Sequence, residues 1–215
     1  MKTRKPLILT ACIAAEDLER FNRLRAAHFP PDGNVLPAHL TMFHRLPGEY
    51  EKRICNHLSE IAGRTNTIAA DVDGLRHLGA GVAFSIASSD LHKVRATLRA
   101  SFASWLGPQD VKTWQPHITI QNKSPKDKAD ALWRHLSEGF AAYSIRITGL
   151  QLWEYLGGPW KPFQLYAIPI VLGLTSAADE QEFLWRQMQK VAGIAVFPVR
   201  RQPLQDWQSG EPCSR

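Results

Sequence analysis

The sequence predicts an α+β protein of two pseudo-symmetric lobes, each an antiparallel sheet with helices on its outer face, around a central cleft, with an extra C-terminal helix. Three observations predict it. Apolar residues switch repeatedly between a period of two and a period of three to four. The order strand–helix–strand–helix–strand occurs twice, at offsets of 73 and 78 residues, as a repeat of pattern and not of letters. Proline- and glycine-rich breaks separate many of the segments.

Residues 7–14 are apolar and β-compatible and form the first strand. From 16 to 28, Leu18, Phe21, Leu24 and His28 make a helical stripe, stopped by Pro30-Pro31-Asp32-Gly33. Residues 36–44 read as a strand ended by Pro47-Gly48. Tyr50, Ile54, Leu58 and Ile61 mark a helix closed by Gly63, and 67–75 is the next strand. The order then repeats, with a strand at 82–87. A helix follows with Leu91, Val94, Leu98, Phe102 and Trp105 on one face; Ser89 or Asp90 caps it and Gly107-Pro108 stops it. A strand at 116–122, a helix at 126–140 and strands at 143–156 and 162–172 complete the series. The last two are joined as a hairpin by Gly157-Gly158-Pro159. The expected organisation is therefore a domain over 1–172, with lobes of about 7–78 and 79–172. Residues 173–215 follow as a helix beginning at Ser176, with Phe183, Leu184, Met188 and Val191 on its apolar face, and then a mobile tail.

Composition excludes several classes. The 215 residues are 44% hydrophobic and 21% charged, which fits a globular chain. No apolar run approaches the roughly 20 residues of a membrane-spanning helix. Lys and Arg exceed Asp and Glu by 26 to 20, a net charge of +6 that weakly favours anionic ligands. Cys12, Cys55 and Cys213 are odd in number and widely spaced. They form no disulfide framework or metal-binding pair, and a reducing cytoplasm is the expected compartment. The basic start and Cys12 imitate a lipoprotein signal, but the apolar stretch before Cys12 is shorter than a signal core, so we read it as strand.

Two tetrapeptides carry the chemistry: His39-Leu-Thr-Met42 and His117-Ile-Thr-Ile120, at matching places in the two halves. On a strand, His39 and Thr41 share one face and Leu40 and Met42 the other; His117 and Thr119 share a face in the same way. The apolar pairs anchor each strand in its lobe. A two-fold relation would then bring two imidazoles and two hydroxyls to one point in the cleft. A neutral imidazole takes a proton from water and a protonated one gives a proton to a leaving oxygen. Both forms coexist near neutral pH, so a pair serves as base and acid in one step. Threonine hydroxyls hydrogen-bond non-bridging phosphate oxygens as charge develops. The set suits attack on a phosphodiester without a metal or other cofactor.

These residues resemble the two-histidine phosphoesterase superfamily, whose bacterial members are often labelled 2′,5′-RNA ligases or cyclic phosphodiesterases. The likeness rests on both His-x-Thr-x motifs, the 115–120 run and the closing hairpin, and covers about residues 7–172. It implies hydrolysis of 2′,3′-cyclic phosphates or related diesters, such as ADP-ribose 1″,2″-cyclic phosphate, or reversible joining of RNA through 2′,5′ linkages. The motifs do not choose among these.

Other candidates read more plainly. Regular alternation puts His44 on the Leu40/Met42 side, as a structural residue. Arg45 and Lys123 each follow a motif strand and read as solvated charge. Trp153, Tyr155, Trp160 and Lys161 surround the hairpin turn, where stacking on a nucleobase and packing on the lobe fit equally well. Gly79-Ala80-Gly81 is not a phosphate loop, and Cys55 reads as buried and inert. The leading expectation is a metal-independent enzyme that hydrolyses a cyclic or 2′,5′-type phosphodiester of a nucleotide or RNA end. His39 and His117 would be its acid–base pair, Thr41 and Thr119 its phosphate ligands, and a monomer its favoured state. A binding module for nucleotides or RNA ends without turnover is the alternative. A third reading is an interaction protein that uses the C-terminal helix.

Overall fold

The computed structural model describes residues 4–169. The expected helix at Ser176, the tail and the end of the last expected strand lie outside the described residues. The elements in chain order are β1 (Leu7–Ile13), α1 (Ala15–His28), β2 (Leu40–Leu46), α2 (Glu51–Gly63), β3 (Ile68–His77) and β4 (Val82–Ala87). They continue with α3 (Ser89–Ser101), α4 (Pro108–Val111), β5 (His117–Gln121), α5 (Lys126–Glu138), β6 (Tyr143–Tyr155) and β7 (Trp160–Ala167). The α+β class and the doubled order of elements are as the sequence predicts.

All seven strands pair antiparallel in the order β1-β2-β5-β4-β3-β6-β7, and β6 also pairs with β1. Six strands therefore close into a ring, and β7 extends it from β6. The register reveals the two-fold. Leu40 faces Ile118 across β2–β5, and Ala70 faces Ile145 across β3–β6. Each residue meets its own counterpart from the other half, so the pseudo-two-fold axis passes through both pairs. The irregularities repeat as well. Thr41 pairs with Thr10 and Phe43 with Leu9, leaving Met42 as an extra residue. Thr119 pairs with Ala83 and Gln121 with Val82, leaving Ile120 in the same role.

The halves exchange their last strands. β3 belongs to the first half in sequence but pairs with β4 and β6, and β6 returns to pair with β1. The expected lobe boundary near residue 78 therefore divides the chain but not the sheet. Periodicity sets which residues form a strand; the choice of neighbour is tertiary.

Several boundaries shift for local reasons. β2 starts at Leu40 rather than 36, because Pro37 has no N–H and the Ala38 N–H donates to Asn22 Oδ1 at 2.8 Å. The cap of α3 is Ser88, one residue before those expected; its Oγ accepts the Leu91 N–H at 3.3 Å. That helix ends at Ser101, and the chain tightens into a 3-10 turn at Ala103–Trp105. Gly107-Pro108, expected only as a stop, also starts the short α4, since proline fits the first helical position.

The core lies between the sheet and its helices. α1 packs on β5, α5 on β3 and β4, and α2 on β6 and β7. Phe21, Phe43, Phe84 and Phe102 are fully buried there, with Phe21 edge-on to Phe84 at 5.4 Å and Phe43 to Phe102 at 5.6 Å. Among the described residues, no helix is long and apolar enough to cross a membrane.

Candidate active site

The Leu40–Ile118 pair sits where the two halves meet, and each motif flanks it. Leu40, Met42, Ile118 and Ile120 are completely buried, while His39, Thr41, His117 and Thr119 are only partly so. The alternation expected from the motifs therefore holds in both. Antiparallel pairing of Leu40 with Ile118 sets His39 beside Thr119 and Thr41 beside His117, all on the face opposite the core.

The two imidazoles are held alike. His39 Nδ1 lies 2.8 Å from the Pro37 carbonyl, and His117 Nδ1 lies 2.8 Å from the Gln115 carbonyl. A carbonyl only accepts, so each Nδ1 carries its hydrogen and donates it. Each neutral ring then keeps its lone pair on Nε2, the atom available to a substrate.

The strands around Leu40–Ile118 share only that one pair, so nearby carbonyls find other donors. Trp114 Nε1 donates to the Thr41 carbonyl at 3.0 Å, and Arg25 donates to the Thr119 carbonyl at 2.9 Å. The buried Arg95 guanidinium donates to the Met42 carbonyl at 2.9 Å and packs against the rings of Phe43 and Trp114. Both motif threonines are thus braced from behind by side chains that the motif pattern does not reveal.

Burial dominates the electrostatics. It pushes the His39 imidazole down to about 4; the Pro37 bond opposes this, and the charges of Arg25, His117 and His44 add to it. Burial also lowers His117, against its bond to Gln115 and together with the charges of Arg76 and His44. Both rings are therefore held toward the neutral form in the free protein.

His44 corrects the sequence reading. The extra residue at Met42 breaks the alternation, so Met42 and Phe43 are both buried and His44 emerges exposed, near enough to both motif histidines to depress them. Its Nδ1 lies 3.0 Å from the Asp110 carboxylate, which is 1% exposed. The same carboxylate accepts the N–H groups of His44 at 2.9 Å and Arg45 at 3.0 Å. Burial pushes the Asp110 carboxyl up, but these hydrogen bonds together hold it below the usual carboxylate range. Arg45 and Lys123 are exposed, in keeping with solvated charge.

Two further positions follow from the register. Gln151, Thr10 and Thr41 form one row across β6, β1 and β2, and Arg76, Ala83 and Thr119 form the matching row across β3, β4 and β5. Arg76 thus shares the site face, and no sequence motif marks it. From the hairpin, the Trp160 ring lies 4.7 Å from the His39 ring, and Trp153 Nε1 donates to Thr10 Oγ1 at 2.9 Å. Tyr155 and Lys161 are exposed. A cavity of about 220 Å³ lies between His39 and the two tryptophans. Among the described residues, no group of three or more His, Cys, Asp or Glu side chains is placed to hold a metal ion.

Comparison with known proteins agrees with this architecture. The crystal structure of TT0787 from Thermus thermophilus superposes with a TM-score of 0.57 at 15% identity, over 78% of this chain and 100% of that one. Escherichia coli LigT complexed with 3′-AMP gives 0.48 at 22% identity, over 76% and 98%. Kluyveromyces marxianus Usb1 gives 0.43 at 9%, over 77% and 99%. No curated protein matches the chain. The sequence pattern of the 2′-5′ RNA ligase superfamily matches residues 14–159. With that match over most of its length and the fold to go with it, the chain belongs to the 2′-5′ RNA ligase superfamily of two-histidine phosphoesterases.

Proposed function

We propose that this protein is a metal-independent phosphoesterase that opens a 2′,3′-cyclic phosphate or a 2′,5′-type phosphodiester of a nucleotide or RNA end. His39 and His117 are the acid–base pair, and Thr41 and Thr119 hold the phosphate. The observation that carries this reading is the matched pair of Nδ1–carbonyl bonds, which leaves two equivalent Nε2 atoms on one face with a threonine beside each.

In the forward reaction one neutral Nε2 removes a proton from water as the water oxygen bonds to phosphorus. The other imidazole, protonated at Nε2, gives its proton to the ester oxygen as that bond breaks. Charge on the non-bridging oxygens is met by the threonine hydroxyls. Both pKa values are depressed in the free protein, so the anionic phosphate itself favours the one proton the pair needs. With the 5′-hydroxyl of a second ribose in place of water, the same attack on a 2′,3′-cyclic phosphate breaks the bond from phosphorus to the 3′-oxygen, which takes the proton, and forms a 2′,5′ linkage; the reverse of that step opens it again.

The test is a screen of 2′,3′-cyclic nucleotides, ADP-ribose 1″,2″-cyclic phosphate and 2′,5′-linked dinucleotides in EDTA, with products identified by chromatography. His39→Ala and His117→Ala should each slow turnover by roughly 10²–10⁴-fold. Unchanged rates on every substrate after either substitution would sink the mechanism.

A further inference from the structure

The catalytic positions obey the two-fold, but the charges around them do not. Gln151 in one half stands where Arg76 stands in the other, and Thr10 stands where Ala83 stands. The first-half row is tied to its own hairpin. Gln151 Nε2 donates to the carbonyls of Leu152 at 2.8 Å and Gln164 at 3.0 Å, and Thr10 Oγ1 accepts the Trp153 indole N–H. In the second-half row only the small side chain of Ala83 separates Arg76 from Thr119. Neighbouring strands lie about 4.8 Å apart, so the two backbones are about 10 Å apart, a gap that an extended arginine largely spans.

Three arginines act on the motif strands, and two are committed to protein oxygens. Arg25 donates to Asn34 Oδ1 and to the carbonyls of Leu36 and Thr119. Arg95 donates to the carbonyls of Met42 and Asp110. Arg76 is half-buried, yet among the described residues its guanidinium has no ion-pair or hydrogen-bond partner. Its charge reaches the site on one side only: it lowers the His117 imidazole and is absent from the charges that act on His39. A partly desolvated guanidinium with five N–H donors and no acceptor is completed by an anion.

We propose that Arg76 is a third phosphate ligand, acting beside Thr119, which draws the phosphate off the two-fold axis toward the second motif and so makes the site directional. The proposal rests on the phosphoesterase reading above and adds the fixed positive charge that neither motif carries. The guanidinium fork donates two parallel N–H bonds to two non-bridging oxygens, one of which also accepts from the Thr119 hydroxyl.

The experiment titrates inorganic phosphate into the wild type and variants at one ionic strength. Arg76→Gln copies the residue at the matching place in the other half, and urea unfolding checks that each variant is folded. Phosphate should bind Arg76→Gln roughly 10- to 100-fold more weakly than the wild type. Arg76→Lys, which keeps the charge without the fork, should fall between the two. Lys128→Gln, which removes the same charge from an exposed position on α5, should change binding less than about threefold. Thr119→Ala should weaken phosphate less in the Arg76→Gln background than alone, because the shared oxygen is already loosened. Thr41→Ala should cost the same in both backgrounds. A merely structural arginine would not couple to one threonine and spare the other. No phosphate binding to the wild type, Arg76 variants that bind as Lys128→Gln does, or equal coupling to both threonines overturns the proposal. Because binding needs no turnover, the two readings fail separately. Arg76-dependent phosphate binding with no cleavage of any substrate refutes only the acid–base mechanism; His39-dependent cleavage with phosphate binding indifferent to Arg76 refutes only the third ligand.

Discussion

The depressed His39 imidazole should be measurable as a pH-dependent loss of stability. In the folded protein the ring titrates at about 4, whereas an unfolded histidine titrates near 6.5. The folded state therefore binds this proton less readily than the unfolded state. The stability this gives is fully present above about pH 6.5 and is lost as pH falls toward 4. Linkage puts the loss at about 2 kcal/mol by pH 5, before partial solvent exposure trims it. Against a total of about 5–15 kcal/mol for a typical domain, this is readily detected. Other groups also titrate over this range, so the comparison is a double difference. Wild type and His39→Gln, whose amide can still donate to the Pro37 carbonyl, are unfolded in urea at pH 7 and pH 5. The stability gap should move by about 1–2 kcal/mol in favour of the variant on going to pH 5. Parallel losses in the two proteins would show that His39 carries no depressed pKa, and the picture of a buried neutral imidazole would fall with it.

Other outcomes follow from the same geometry. Both motif histidines are depressed in the free protein, so kcat/KM, which requires one neutral and one protonated ring, should peak below about pH 6.5 and fall above it. A maximum above pH 7 would contradict the assignment. Asp110→Ala strands the His44 and Arg45 N–H groups and should cost about 2–6 kcal/mol in urea unfolding, at about 1–3 kcal/mol for each partly buried donor. Trp114→Phe removes the donor to the Thr41 carbonyl and should cost about 1 kcal/mol in the same assay. Gly81→Ala would place a Cβ 2.0 Å from the Gln121 carbonyl oxygen, and a thermal melt should register a loss of at least about 3 kcal/mol.

The parts of the site legible in the sequence are those fixed within one strand. His39 and Thr41, and His117 and Thr119, lie two residues apart, so period two alone places each pair on one face. His44 escaped the same rule because Met42 is an extra residue, and that depends on how β2 registers against β1. Arg76 meets the site through β4, and Asp110 reaches β2 from a short helix 66 residues beyond His44. Neither relation has a local signature. The doubled pattern likewise gave the order of elements but not the exchange of last strands, since hydrophobic alternation sets a face and leaves the partner open.

The exchange of last strands also governs how this protein can be made. Thr10 pairs with Gln151, 141 residues later, and that pairing closes the ring. A ribosome adding about 5–20 residues per second needs roughly 7–28 s to travel from one to the other. For that interval one edge of β1 has no native neighbour, and neither sequence half can complete a sheet from its own strands. Ring closure of such long range is slow even after synthesis. The symmetry that brings two histidines together thus leaves the nascent chain with an open strand edge until β6 emerges, the stage at which a holdase chaperone would matter most and at which mispairing between neighbouring nascent chains is easiest.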